Sequence, residues 1–345
     1  MSDLPAEMTS QTPLETLPPH FEQRLFDLSP FGTLPTAIAV FIVLLGSFEA
    51  TARLTDYSLR EQLTLDLHAG AWPATILSLL VAVGLALQRY VRIKDLEEAP
   101  AFAHILPCTA AESFAGDARV LGELRWFSLA GIAVGFAGAF LAVPADVRTQ
   151  HLPIFAWFAI VMSLVGAMFA RGVVLSRVGA RSFSARVDRY LKVDLMRVDE
   201  LFVIGRRSAR SSLIWLSAAA IVCLFFAGGR TPAFLIAIVA ASAGMAFWIF
   251  FGSLEHVHRK IRDAKVAELD HVRRDIATAR LQASHDHTAA AKLHGLIAYE
   301  ARIADVKEWP FDQWTLLRVS AYVLIPAIPT VAQTGFKYFV EHFWK

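Results

Sequence analysis

Six histidines between residues 256 and 294 are the side chains of this sequence best suited to chemistry, as metal ligands or as acid–base groups. They are His256, His258, His271, His285, His287 and His294. Four of them form two pairs spaced two residues apart, and on a helix such neighbours point in different directions. No cysteine or pair of carboxylates completes a ligand set beside them. The pattern therefore predicts solvated histidines on a polar helix face, with neither a metal nor another cofactor.

Glu49 is the ionisable residue closest to the interior of an apolar stretch, at the outer end of the first one. The centres of these stretches contain no Asp, Glu, Lys, Arg or His. Ion-coupled transporters usually place such a group near the middle of the membrane, so this class is disfavoured. Catalysis is not expected either, because no base or nucleophile has an evident partner. We expect Glu49 to reach headgroups or water, with a functional role in the membrane as the alternative.

Six apolar stretches are the elements that would position any such group. They run over residues 34–48, 71–88, 126–145, 152–170, 213–229 and 233–252. Most reach the length of about 17–20 residues that crosses a hydrocarbon core of about 30 Å. The sequence therefore predicts six membrane-spanning helices, which its short outer connections group into three antiparallel hairpins.

Positive charge is distributed very unequally between the connecting segments. Segments 89–125, 171–211 and 253–311 contain 25 Lys and Arg residues, whereas the three alternate segments contain 4. Positive residues near span ends resist translocation, so the basic segments are expected in the cytoplasm. We expect residues 1–32 to be a flexible cytoplasmic tail without a cleaved signal, because this stretch lacks a basic start and an apolar run.

Small residues spaced three or four apart occur along several spans. They are Gly131, Gly135 and Gly138 in the third span, Gly166 and Ala170 in the fourth, and Ala240 and Gly244 in the sixth. Such spacing lets helix backbones approach closely within lipid. We expect packing within one chain, with a dimerisation face as the alternative.

The sixth span has no helix breaker at its inner end. Leu254, Val257 and Ile261 continue an apolar stripe, and no Pro or Gly follows until Gly295. One helix is therefore predicted to continue about 40–50 Å beyond the bilayer. A polar break at 284–288 precedes a second stripe, which favours an antiparallel hairpin that returns to the membrane. A continuous rod in an intermolecular coiled coil is the alternative.

The basic segment 171–211 is predicted to contain an amphipathic helix lying on anionic headgroups. Its apolar residues are Val187, Leu191, Leu195 and Val198. Its proposed headgroup contacts are Arg186, Arg189, Lys192 and Arg197. Nucleic acid is not expected as a partner, because the segment has few stacking aromatics and no recognised motif.

The C-terminal segment begins with Trp309, Asp312 and Trp314, which are predicted to anchor a helix start at the membrane interface. Pro326 and Pro329 interrupt the apolar stretch that follows. Such a break needs shielding by protein or water, so these prolines are candidate functional positions within the membrane. The segment is predicted to re-enter the membrane, with a kinked seventh span as the alternative.

These observations predict an all-α polytopic membrane protein with a six-helix transmembrane bundle, a cytoplasmic helical extension and a C-terminal re-entrant or seventh segment. The expected units are the tail 1–32, the spans 33–252, the hairpin 253–308 and the Pro-broken segment 309–345.

Two functions are compatible with this organisation. The first is a channel-like or permeation protein assembled as a homo-oligomer, although no filter motif identifies a substrate. The second is a membrane-anchored scaffold that recruits a cytoplasmic protein partner through its extension. For either function, the expected location is a bacterial inner membrane with the N-terminus in the cytoplasm.

Overall fold

The protein is mostly helical over the residues that a computed structural model describes, which are 26–55, 71–106, 118–228, 233–282 and 287–311 together with positions 314, 317 and 321. No β-strand occurs among these residues. The helices are α1 (Thr33–Leu54), α2 (Ala71–Ile105), α3 (Ala118–Ala142), α4 (Ala145–Gln150), α5 (Leu152–Tyr190), α6 (Phe202–Cys223), α7 (Ala233–Gln282) and α8 (His287–Ala304). Two 3₁₀ turns, Val198–Leu201 and Leu224–Gly228, flank α6.

Six of these helices, α1, α2, α3, α5, α6 and α7, are long and apolar enough to cross a membrane. Each contains one of the apolar stretches recognised in the sequence, so the prediction of six helices long and apolar enough to span a membrane is confirmed. The third span was expected to reach residue 145 but ends at Ala142, because Pro144 lies at the turn into α4. Consecutive spans pack together, with extensive contacts of α1 with α2, α3 with α5, and α6 with α7.

The helices continue far beyond their apolar parts at one end of the bundle, which we call the basic end. At this end α2 continues past Gln88 to Ile105, and α5 continues past Ala170 to Tyr190. α6 begins at Phe202, well before the predicted start of its span at Leu213. Much of the sequence expected to form loops is therefore helix. α7 runs unbroken from Ala233 to Gln282, which confirms the predicted continuous helix.

Two principal hydrophobic cores stabilise this arrangement. The first lies along the spans, and tryptophan hydrogen bonds cross it: Trp157 Nε1 donates to Ser47 Oγ at 2.9 Å, and Trp72 Nε1 donates to Leu224 O at 3.2 Å. These bonds satisfy indole N–H groups that would otherwise be buried without partners. The second core lies at the basic end, where its fully buried residues include Leu254 of α7.

Glycines allow α3 and α5 to lie in direct backbone contact. A side chain at Gly131 would overlap the carbonyl oxygen of Gly166, and one at Gly135 would overlap the carbonyl oxygen of Met162. These small residues therefore serve packing within one chain, as expected. Gly244 of α7 differs, since a methyl group there would meet no atom within 4 Å.

α8 runs antiparallel along the distal part of α7. Tyr299 Oη donates to Glu268 Oε1 at 3.0 Å, and Arg273 Nε donates to Glu300 Oε1 at 2.8 Å. The pKa of Tyr299 is raised, chiefly because the phenol donates this hydrogen bond to the carboxylate, and further by burial and by acidic charge. Ile303 is completely buried, so apolar packing also contributes to the contact.

The chain preceding α1 is partly docked on the bundle. Of the expected flexible tail 1–32, residues 1–25 lie outside the described part of the chain. Phe26 is buried against the first core, and Asp27 pairs with Arg89 of α2 at 2.8 Å. The segment next to α1 is therefore held at the basic end.

Candidate functional site at the basic end

An ion-pair network joins α2 to α6 beyond the apolar part of both helices. Arg210 holds both carboxylate oxygens of Glu98, at 2.9 and 2.5 Å, and its Nη2 lies 3.6 Å from Asp95. Arg207 reaches Asp95 at 3.3 Å, and Arg206 reaches Glu98 at 3.6 Å. Only 11% of the Arg210 side chain is exposed. The bidentate geometry and the burial make this the most constrained charge contact at the basic end.

Local sequence explains why these charges meet. Asp95 and Glu98 are three residues apart, so they share one face of α2. Arg207 and Arg210 have the same spacing on α6, and the two faces pack against each other. Arg207 also lies over the ring of Phe102, with its guanidinium carbon 5.0 Å from the ring centre. The network therefore fixes the register between α2 and α6.

The residues that follow α8 cross α7 and reach α6. We call Val306–Phe311 the strap. Lys265 of α7 donates to the carbonyl oxygen of Val306 at 2.9 Å. His258 of α7 contacts the carbonyl oxygen of Glu308 through Nδ1 at 3.0 Å. Its ring stacks on that of Trp309, with 4.1 Å between the centres and 9° between the planes.

The end of the strap is seated against α6. Pro310 is almost completely buried. A side chain at Gly205 of α6 would overlap the Pro310 carbonyl oxygen and meet Phe311 Cβ at 3.1 Å. Phe311 stacks on Phe250 of α7 with 6.3 Å between ring centres. The strap therefore connects α8, α7 and α6 where the apolar part of α7 ends.

The membrane positions predicted from the sequence are not gathered at this site. Glu49 pairs with Arg53 of the same helix at 2.9 Å, on the opposite side of the spans from the basic end. The side chain of Trp314 is exposed. Asp312, Pro326 and Pro329 lie outside the described residues. Of the expected interface anchors, Trp309 alone is seen to join the strap.

The prediction of an amphipathic helix containing Val187, Leu191, Leu195 and Val198 is wrong. α5 ends at Tyr190 and the next residues are not helical, so these side chains do not lie on one helix. Val187, Leu191 and Val198 are buried in the second core instead. Their apolar surface is covered by protein, because α6 and α7 extend far enough to meet them.

The four basic residues assigned to this segment lie around the end of α5. Arg186 Nε donates to the Ser182 carbonyl oxygen at 3.4 Å, and Arg189 lies over the ring of Tyr190. Arg197 pairs with Glu200 at 3.6 Å, and Lys192 is exposed. These contacts are all with residues of the same segment of the chain.

The histidines of the extension whose side chains are described do not converge on a common centre either, and those of His285 and His287 lie outside the described part. His258 is held in the stack described above, and His256 lies 3.6 Å from Asp188 of α5. Among the described residues, no group of three His, Cys, Asp or Glu side chains is placed to hold a metal ion. His258 was expected on a solvated face and is instead packed against an aromatic ring.

No protein-family model, curated protein or solved structure matches the chain. Its function must therefore be argued from the geometry. The ion-pair network and the strap contain no arrangement of nucleophile and base. What they do physically is to join the extension of α7 rigidly to the spans.

The network itself could have been inferred from the sequence. The acidic pair at positions 95 and 98 and the basic group at 206–210 have matching spacings, which is a complementary pattern. It was missed because both segments were interpreted as loops. The sequence gives less indication of the strap, because nothing in the order of residues 306–311 shows which helices they contact.

Proposed function

We propose that the protein is a membrane-anchored scaffold that displays the α7–α8 hairpin to a soluble partner in the cytoplasm. The observation that carries this proposal is α7, one helix of 50 residues that leaves the span region without a break. Beyond Gly252 it extends about 45 Å. The unequal distribution of Lys and Arg supports a cytoplasmic position for this extension.

Bracing at the base of the extension supports the same proposal. A long helix leaving a membrane would tilt freely if it met its neighbours only within lipid. Here Leu254, Val257 and Ile261 are all completely buried in the second core. The strap adds hydrogen bonds at His258 and Lys265. A fixed direction is useful for displaying a binding surface at a set distance from the bilayer.

The distal hairpin has exposed apolar side chains among its charges. Val266 is 52% exposed, Leu281 80% and Ile297 50%. Leu281 lies at the end of α7 farthest from the spans, where it is accessible to a soluble protein. We propose that Leu281 and Ile297 contact the partner.

In-cell photo-crosslinking with the full-length protein tests the scaffold. A photoreactive residue at position 281 or 297 should give a discrete adduct, and one at the lipid-facing Ile236 should give none of the same mass. Ile297→Asp should abolish the adduct formed from position 281. The scaffold proposal fails if neither position gives a defined adduct at native expression levels.

A permeation protein assembled from several copies is the second candidate, and one observation favours it. Ala240 and Gly244 lie on an exposed face of α7, and Gly244 has open space beside it. A second copy could approach that face closely. The Pro-broken segment with Pro326 and Pro329 would then contribute to the pathway. Native mass spectrometry in nanodiscs tests this, because a monomer that is silent in bilayer conductance measurements would exclude it.

A further inference from the structure

An edge of the bundle formed by α3 and α5 has arginines that are not neutralised. We define the arginine patch as Arg125 of α3 together with Arg177 and Arg181 of α5. All three are exposed, and within the described residues none of them makes an ion pair. Other arginines at the basic end, including Arg89 and Arg210, are paired with carboxylates.

The packing of the two helices places the patch on one edge. The contacts of Gly131 with Gly166 and of Gly135 with Met162 set an antiparallel register. Extended along both helices, the same register places Arg125 at about the level of Gly172. Gly166 and Ala170 both contact Gly131, so they define the face of α5 turned toward α3. Residues 177 and 181 continue this face, because they follow residue 170 by about two and three helical turns.

Acidic residues are scarce along this edge. From Leu152 to Val187, α5 contains no Asp or Glu. Glu123 is the one carboxylate within α3. The edge therefore keeps a net positive charge, whereas Asp95 and Glu98 offset most of the charge of the arginines of α6.

The patch extends from the edge of the hydrocarbon through the headgroup layer and a few ångströms beyond it. Arg125 directly precedes the apolar part of α3. Arg177 lies about 10 Å beyond the end of the apolar part of α5, and Arg181 about 16 Å. Headgroups occupy about 5–8 Å on each side of the hydrocarbon, and arginine side chains reach toward them. Along the same helix, Arg186 lies about 24 Å beyond this point, well outside the headgroup layer.

Trp126 supports this placement at the interface. It neighbours Arg125, and 74% of it is exposed. Tryptophan is enriched at the boundary between hydrocarbon and headgroups, where its ring is buried and its N–H is solvated.

We propose that the arginine patch binds the phosphodiester headgroup of an anionic glycerophospholipid in the leaflet at the basic end. Guanidinium groups hold phosphate oxygens in a two-pronged geometry, and here they come from two helices. One bound lipid would contact α3 and α5 together. The proposal depends on the six spans and is independent of the scaffold function.

Lipid retention by the full-length protein tests the site. The protein is reconstituted with an equimolar mixture of phosphatidylglycerol and phosphatidylcholine, extracted gently, and analysed as an intact complex by mass spectrometry. Arg125→Gln, Arg177→Gln and Arg181→Gln are combined in one variant. Each arginine near a membrane surface contributes about fivefold to the binding of anionic lipid. We expect the triple variant to reduce the preference for phosphatidylglycerol by at least about tenfold, since residues sharing one ligand are not additive.

A matched control removes the same charge far from the membrane. Arg274, Arg280 and Arg302 are exposed on the distal hairpin, and their replacement by Gln should leave lipid preference unchanged. If the triple patch variant does not fold, Arg177→Lys combined with Arg181→Lys keeps the charge and should still lower the preference several-fold, because lysine lacks the two-pronged geometry. Equal lipid preference in folded patch variants and the wild type would overturn the proposal. Displacement of the lipid by soluble glycerol phosphate would overturn it in favour of a free-anion site.

Discussion

Replacing Gly131 by alanine should separate α3 from α5, although the change adds only one methyl group. That methyl would overlap the carbonyl carbon and oxygen of Gly166 and approach Ala170 Cβ at 2.8 Å. Backbone atoms cannot rotate away as a side chain can. The helices would have to move apart by roughly 1 Å to restore ordinary carbon contacts of about 3.5 Å or more.

The energetic cost follows from this displacement. A gap of about 0.5–1 Å forfeits a quarter to a half of the dispersion attraction between facing atoms. Overpacking of a close contact typically costs about 1–3 kcal/mol. Alanine also gains up to about 1 kcal/mol in helix propensity over glycine. A Gly→Ala change in open space gains the same propensity, so this gain cancels in the comparison and Gly131→Ala should be less stable than that reference by about 1–3 kcal/mol.

Gly244→Ala supplies that reference, because nothing lies within 4 Å of the added methyl. Gly138→Ala is intermediate, since its methyl meets only the flexible end of Met162 at 3.2 Å. Thermal unfolding in nanodiscs, followed by circular dichroism, should rank the midpoints as Gly244→Ala highest, then Gly138→Ala, then Gly131→Ala. Equal midpoints for Gly131→Ala and Gly244→Ala would refute the direct backbone contact between α3 and α5.

Three further predictions concern the basic end. Arg210→Met should destabilise the protein by about 1–3 kcal/mol in denaturant unfolding, because Glu98 loses its two-pronged partner and keeps only Arg206 at 3.6 Å, while Asp95 keeps Arg207 at 3.3 Å; a loss under about 0.5 kcal/mol would contradict the role given to the network. Gly205→Ala should displace the strap and speed proteolysis within it, whereas Gly179→Ala, which has open space, should not; equal proteolysis would show that the strap is not seated on α6. Because the folded-state pKa of Tyr299 is raised, its contribution to α7–α8 pairing is complete below about pH 10 and is lost as pH rises through that pKa. Hydrogen exchange in α8 should show this loss, and Tyr299→Phe, which cannot donate to Glu268, should remove the pH dependence.

The spans could be predicted from the sequence because their length and lack of charge are local properties. α1, α2, α3, α5, α6 and α7 each contain the apolar stretch that identified them. The continuous helix α7 was equally accessible, since neither Pro nor Gly interrupts residues 253–282. Both inferences depend on physical limits that act along the chain rather than between distant parts of it.

The basic end could not be predicted as well, because its structure depends on contacts between distant residues. Val187 was assigned to a lipid-facing helix on spacing alone, yet it is completely buried in the second core. Charge-rich sequence such as 89–105 resembles a loop, and becomes a packed helix only when a partner such as α6 supplies matching arginines. The position of the strap could not be predicted for the same reason, because the close contact of Gly205 with Pro310 joins residues far apart in sequence.

The unbroken course of α7 has a mechanical consequence. A helix without a hinge transmits rotation at its base to its tip as a lever does. A tilt of about 5° near Gly252 would move the far end of the extension by about 4 Å, given its length of about 45 Å. The strap lies beside the fulcrum, where a small displacement has the largest effect on the angle. Any change in lipid or partner that shifts the strap would therefore be amplified at the distal hairpin.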